Sequence, residues 1–219
     1  MSFDLRRISA VLPAVLALML AFAPPASAQQ LLEDLSIAAA NDRGDQVKAI
    51  LARGVDPNSV DANGDPVIVA AARAGSASVV EVLLAAKADV DKRNRYGDTA
   101  LMLAVLNGHA GIAKALRQKG AEVNMRGWTP LIYAATGGHD DLVRWLLGEG
   151  ADINAAAPNG TTALMMAVRE NRYSTALLLI SRGADVNRRN ENGASALDWA
   201  KRGNDEQLVE RLKRAGARD

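Results

Sequence analysis

His109 and His139 are the only imidazoles in 219 residues, and cysteine is absent. A histidine base works on a nucleophile or a second titratable group within hydrogen-bond reach. Each of these histidines instead follows a glycine directly, Gly108 and Gly138. That recurring slot fits a structural role. The two also lie one period apart in the chain, which is not the i, i+4 pairing by which a helix holds zinc. Without cysteine there is neither a thiol nucleophile nor a soft metal ligand. Ser76, Ser78, Ser174, Ser181 and Ser195 have no histidine at a matching place in the pattern. Asp140 and Asp141 open a helical stretch, where carboxylates suit the positive end of the helix dipole; this reads as a solvated face, not an acid–base pair. Gly-Gly and Gly-Asp steps occur without a phosphate-cradling glycine loop. The expectation is a chain with no catalytic residue, no metal and no cofactor.

The elements behind these residues must be built from small side chains. Aromatics make up 4% of the chain, and both phenylalanines, Phe3 and Phe22, fall in the first 22 residues. A core of Ala, Leu, Val and Ile suits closely packed helices and leaves little material for a deep aromatic cofactor pocket. Arg6 and Arg7 precede an apolar run from Ile8 to Ala23, followed by Pro24-Pro25 and Ala26-Ser27-Ala28. A basic start, a short apolar stretch and an A-x-A site make a secretory signal peptide over residues 1–28. The run of 16 residues is shorter than the ~20 of a spanning helix. An uncleaved membrane anchor is the alternative, and the Arg pair raises a twin-arginine route that Ile8, Ser9 and Ala10 fit poorly. No cysteine follows the cleavage site, which excludes a lipoprotein anchor. Removing residues 1–28 leaves 24 basic and 24 acidic residues. A neutral chain has no global field to attract nucleic acid or anionic lipid. With no disulfides available, stability rests on packing.

The arrangement of that packing is periodic. Gly54-Val55-Asp56, Lys87-Ala88-Asp89, Gly120-Ala121-Glu122, Gly150-Ala151-Asp152, Gly183-Ala184-Asp185 and Gly216-Ala217-Arg218 recur at spacings of 33, 33, 30, 33 and 33. A fixed period in this range means a stacked array. Within a unit, Thr99, Thr129, Thr162 and Ser195 stand where a hydroxyl caps a helix start, and Pro130 takes the first helical position. Gly75, Gly108, Gly138 and Gly203 are placed to end the first helix in the left-handed conformation, with Asp42 and Asn171 in the same slot. A second helix follows, carrying Ile50-Leu51, Leu83-Leu84, Leu146-Leu147 and Leu179-Ile180. An extended polar loop then leads to the next unit.

Helix, turn, helix and projecting hairpin every 33 residues resemble the ankyrin repeat, and "GWTPLIYAATGGHDDLVRWLLGEGADIN" (127–154) follows its pattern almost throughout. The resemblance covers 31–219 and implies an all-α ankyrin-repeat solenoid: six stacked helix-turn-helix units with projecting β-hairpin loops. The domain is expected over 29–219, with units at 31–60 as N-terminal cap, 61–93, 94–124, 125–156, 157–189 and 190–219 as C-terminal cap. Val69, Met102, Ile132, Met165 and Asp198 replace the usual His of T-P-L-H. Lys87 stands where glycine is expected. Leu31-Leu32-Glu33-Asp34 at one end, and Lys201, Lys213 and Arg214 at the other, suit the caps that an open stack requires.

In such a fold, hairpin tips and the exposed side of the first helices line a concave groove. The register places Asp65 and Arg73 there, then Arg95, Tyr96, Asp98 and Asn107, then Arg126, Trp128 and Thr136, then Arg169 and Glu170. Arg95, Tyr96, Arg126 and Trp128 fall on one edge of adjacent units and are of the types that dominate interface energetics. They form either a partner-binding cluster or an ordinary surface with Trp128 over a shortened turn. The shortening is visible in the numbers. Asp91 to Gly97, Asn154 to Gly160 and Asn187 to Gly193 are each six positions, whereas Asn124 to Gly127 is three. The gap is either a notch that admits a partner's loop or a tolerated deletion. Tyr133 and Trp199 are expected to pack between units, and Trp145 and Tyr173 to pack on second helices. The resemblance implies a non-catalytic protein binder; the signal peptide implies export by the Sec route to the periplasm or beyond, and a monomer is expected. Its partner would be an unidentified protein, by analogy a periplasmic enzyme or a toxin. The rival is a groove that binds a small molecule or cell-wall glycan.

Overall fold

A computed structural model describes residues 26–218. The chain runs through six helix pairs: α1 (Ala26–Ala40) and α2 (Gly44–Leu51), α3 (Val67–Ala74) and α4 (Ala77–Ala85), α5 (Ala100–Leu106) and α6 (Ala110–Gln118), α7 (Pro130–Gly137) and α8 (Asp140–Gly148), α9 (Ala163–Arg169) and α10 (Tyr173–Ser181), α11 (Ala196–Arg202) and α12 (Glu206–Arg214). The signal peptide expected over 1–28 falls outside the described residues as far as residue 25, and Ala26–Ala28 open α1. No helix among the described residues is long and apolar enough to cross a membrane.

Odd-numbered helices stack face to face along the whole array, and even-numbered helices stack less closely on the outside. The difference follows from side-chain size. Ala71-Ala72, Ala104, Ala134-Ala135 and Ala167 are buried on the inner helices, so those backbones approach closely. Leu83, Leu116, Leu146 and Leu179 fill the seams between outer and inner layers. One continuous apolar core runs from Leu35 to Leu212.

Local sequence sets the start of four inner helices, α5, α7, α9 and α11. Thr99, Thr129, Thr162 and Ser195 are extended, and each hydroxyl accepts the N–H three residues on, at 3.2–3.4 Å. Met102 and Asp198, two of the residues standing in for the usual His, reach back to the capping residue's own N–H. Helix ends follow expectation at Gly75, Gly108 and Gly138 (φ 77° to 81°), Asp42 (52°) and Asn171 (55°). Gly203 does not. Its φ is −80°, and the left-handed residue is Asn204 at 53°, because α11 carries its turn one residue further.

The projecting loops between pairs, 58–66, 91–99, 124–129, 154–162 and 187–195, are fingers rather than strands. Three close with a single antiparallel bridge each: Val60 with Pro66, Ala156 with Thr162, and Arg189 with Ser195. An asparagine or aspartate at each finger base ties its unit to the next. The side-chain oxygens of Asn58, Asp91, Asn124, Asn154 and Asn187 accept the backbone N–H of Asp89, Glu122, Asp152, Asp185 and Arg218, at 2.8–3.0 Å. Asn124 keeps its rung although its finger is short, so the missing residues come from the tip and not from the stacking register.

Candidate functional site

Most of the side chains whose types could do chemistry are engaged in contacts between units. The His109 ring covers Gly75 of the preceding unit, and the His139 ring covers Gly108, each so closely that a Cβ on the glycine would lie 2.7 Å from the imidazole. His139 Nε2 also meets the Leu106 carbonyl at 3.0 Å. One unit further Arg172 fills the same place, against Gly138, with Nε donating to the Thr136 carbonyl at 2.9 Å. Ser78 donates to Asp42, and Ser181 donates to its own helix. Asp140 opens α8 as expected from sequence, but it is only partly exposed and not merely solvated. It accepts the hydroxyls of Ser174 and Thr175 from the next unit, the latter at 2.6 Å. Among the described residues no group of three or more His, Cys, Asp and Glu is placed to hold a metal.

The finger at 91–99 is braced from within. Asn94 Oδ1 accepts the N–H groups of Tyr96 and Asp98 at 2.9 Å, and Arg93 donates to the Gly97 carbonyl at 2.9 Å. Arg93 also reaches across to the Met125 sulfur of the shortened finger, 3.2 Å away. At the tip the Arg95 guanidinium lies over the Tyr96 ring, 4.8 Å from its centroid, and Tyr96 is 68% exposed. At an exposed tip such stacking is worth about 0.5–1 kcal/mol and favours this arrangement of the two side chains.

Tyr133 joins this finger to the next unit. As expected it packs between units, although it is only half-buried: the ring lies against the core and the hydroxyl donates to Asp98 Oδ1 of the preceding unit. Burial of the ring, then the hydrogen bond to Asp98 and that carboxylate's charge, hold the phenol well above the ordinary tyrosine range. It therefore stays un-ionised and donating. Trp128 packs edge-on against the same ring, with centroids 6.1 Å apart and planes at 80°. Asp98, Tyr133 and Trp128 thus form one connected group beside Tyr96. Sequence reasoning placed Tyr133 in the packing and missed its bond to Asp98; the corresponding inner-helix residues give no signal of it, since Leu103 and Met166 are buried whereas Ala70 and Trp199 are partly exposed. Trp199 is likewise half-buried, packing on the core from one side only.

The remaining predicted residues are spread along the groove. Asn107 and Thr136 bond back to the Leu103 and Ile132 carbonyls of their own helices. Arg126 is exposed on the short finger. Arg169 and Glu170 face each other at 3.6 Å. Asp65, though buried, accepts from Arg73 at 2.7 Å. The site is an aromatic edge of Tyr96, Trp128 and Tyr133 beside Arg95 and Asp98, with area that can be buried against another molecule.

Such an edge on single-file helix pairs defines a repeat solenoid. The family model "Ankyrin repeats (3 copies)" matches residues 35–126 and 124–190, and the chain belongs to the ankyrin-repeat family. It is 36% identical over 89 residues to ankyrin repeat and SAM domain-containing protein 6 of Mus musculus, covering 39% of this chain and 10% of that protein. It is 35% identical over 139 residues to an L-asparaginase of Dirofilaria immitis, covering 62% of this chain and 23% of that one. To the B-cell lymphoma 3 protein homolog of Mus musculus it is 31% identical over 131 residues, covering 56% and 29%. The chain thus spans less than a third of these relatives, matching a part of each. Ankyrin repeats are protein–protein interaction scaffolds.

Proposed function

We propose that this chain is an exported, non-catalytic holder of another protein, which it grips in the periplasm with its finger tips and concave groove. The observation that carries the reading is the braced edge, in which Asp98, Tyr133 and Trp128 are locked together next to an exposed, arginine-backed Tyr96. Large aromatics fixed in advance lose little entropy on binding, so their area converts efficiently to affinity. The notch left by the short finger gives a protruding loop of the partner a place beside Trp128. Arg6-Arg7, the apolar run and Ala26-Ser27-Ala28 support export. Cleavage after Ala28 trims the first three residues of α1 and leaves Leu35, the first core residue, in place. The histidines and Asp140 support the absence of catalysis, since each is engaged in holding units together.

The test is capture from periplasmic extract with tagged chain, identification of the bound protein, and calorimetry with that protein. Tyr96→Ala/Trp128→Ala should weaken binding by more than about 2 kcal/mol, roughly 30-fold, with circular dichroism showing the helical fold retained. Retained affinity would dispose of this edge as the anchor. Recovery of the chain outside the periplasm with residues 1–28 intact would dispose of export.

A further inference from the structure

The row of residues at the groove side of the inner helices reads Arg73, Leu106, Thr136, Arg169 and Arg202 in successive units. The row at the finger bases, eight residues earlier in each unit, reads Asp65, Asp98, Trp128, Thr161 and Ala194. In the second unit the two rows cancel. Asp65 is 3% exposed, and its Oδ2 accepts from Arg73 Nη1 at 2.7 Å. In the fifth and sixth units the same offset supplies Thr161 and Ala194, which carry no charge. Arg169 has only the long contact from its Nε to Glu170, 3.6 Å and beyond hydrogen-bond range. Among the described residues Arg202 forms no ion pair. Arg202 thus has no acidic partner among the described residues and Arg169 only this long, exposed one, so both guanidinium groups remain open to solvent at the groove.

Between them lies Trp199. Val168, Arg169, Asn171, Trp199, Arg202 and Gly203 line an open depression of about 480 Å³, which is room for a few side chains and no enclosed ligand. A guanidinium fork matches a carboxylate with two parallel hydrogen bonds. A half-buried indole offers apolar area and keeps water from the neighbouring charges. The charge of the chain is polarised in the same sense. Residues 161–219 hold eleven Lys and Arg against eight Asp and Glu, whereas residues 29–92 hold six against ten. An acidic segment is drawn to one end of the groove and repelled from the other.

We infer that Arg169, Trp199 and Arg202 form a second anchor, which takes an acidic stretch of polypeptide whose carboxylates flank an apolar side chain. This deepens the proposed function and rests on the groove being the partner-facing side. It assigns the orientation of the bound protein: its acidic stretch lies over the fifth and sixth units, and its loop meets the notch in the third and fourth.

The test is fluorescence anisotropy with the purified chain and two short labelled peptides, one of Glu and Asp with Phe at every third position, the other with Lys replacing the acidic residues. The acidic peptide should bind, and its affinity should fall as salt rises. Arg169→Ala/Arg202→Ala should lose at least tenfold, while Tyr96→Ala/Trp128→Ala keeps the wild-type value. Melting curves exclude unfolding of either variant. Unchanged affinity in the arginine variant overturns the inference, and so does equal binding of the Lys peptide. Equal binding of a single-stranded oligonucleotide or of phosphatidylglycerol vesicles also overturns it, since the patch would then answer to any anion. If the acidic peptide fails while the captured protein still depends on Tyr96 and Trp128, only this second anchor falls. If the captured protein ignores Tyr96 and Trp128 as well, the notch reading falls with it.

Discussion

Lys87 holds a φ of 61° in the slot where every other unit has glycine. A side chain in that region costs roughly 1 kcal/mol against glycine, and Lys87 is exposed with no packing to offset it. Lys87→Gly should raise the melting temperature, and an unchanged or lower value refutes the strain. Asp198 offers a pH test. Hydrogen bonds from the Ser195 backbone and hydroxyl, then the charges of Arg189 and Lys201, hold its carboxyl below the usual range. The stability it contributes is thus present above the unfolded value, about 3.9, and is lost as pH falls through the lower folded value. Asp198→Asn should therefore melt below wild type at neutral pH, with the two curves converging in strong acid. At this scale the sequence was legible wherever a residue acts on its own neighbourhood, as Thr99, Pro130 and Lys87 do. It was opaque where the partner is supplied by another unit. Nothing near Tyr133 announces Asp98, thirty-five residues back, and nothing near Asp140 announces Thr175. Gly203 failed for a third reason: with Asn204 beside it, two residues tolerate the same conformation, and the helix took the later one.

The finger bases explain how a unit tolerates a shortened loop. Each rung joins one side chain to the backbone of the next unit, and the Asn124 amide adds a bond from Nδ2 to the Gly150 carbonyl at 2.7 Å. Asn124→Ala removes the acceptor and leaves the Asp152 N–H without its partner, a loss of about 1–2 kcal/mol. Chemical denaturation should show it as a lower midpoint, while Asn192→Ala at an exposed fingertip should cost less. An equal effect at both positions would mean that the rungs do not hold the stack. The period, the helix pairs and the caps were legible because they repeat. The rungs were visible only as a preference for Asn or Asp, since their geometry depends on how far one unit is rotated against the next.

Across the whole molecule, charge and shape vary along the stack: the first units carry more acidic than basic residues, the middle holds the notched aromatic edge, and the last units carry more basic than acidic residues. Restoring three residues to the finger at 124–129 should leave the melting temperature within a few degrees, since tips accept length changes. If the notch receives a loop, calorimetry should show at least tenfold weaker binding; undiminished affinity would make the gap a neutral loss. One consequence of the rungs concerns force. Among the described residues every rung runs between adjacent units and none spans the array, so a load on the two ends meets no long-range clamp there. Stretched between a bead and a surface, the chain should yield in small successive releases, each freeing on the order of 100 Å of polypeptide, and should rewind when the tension drops.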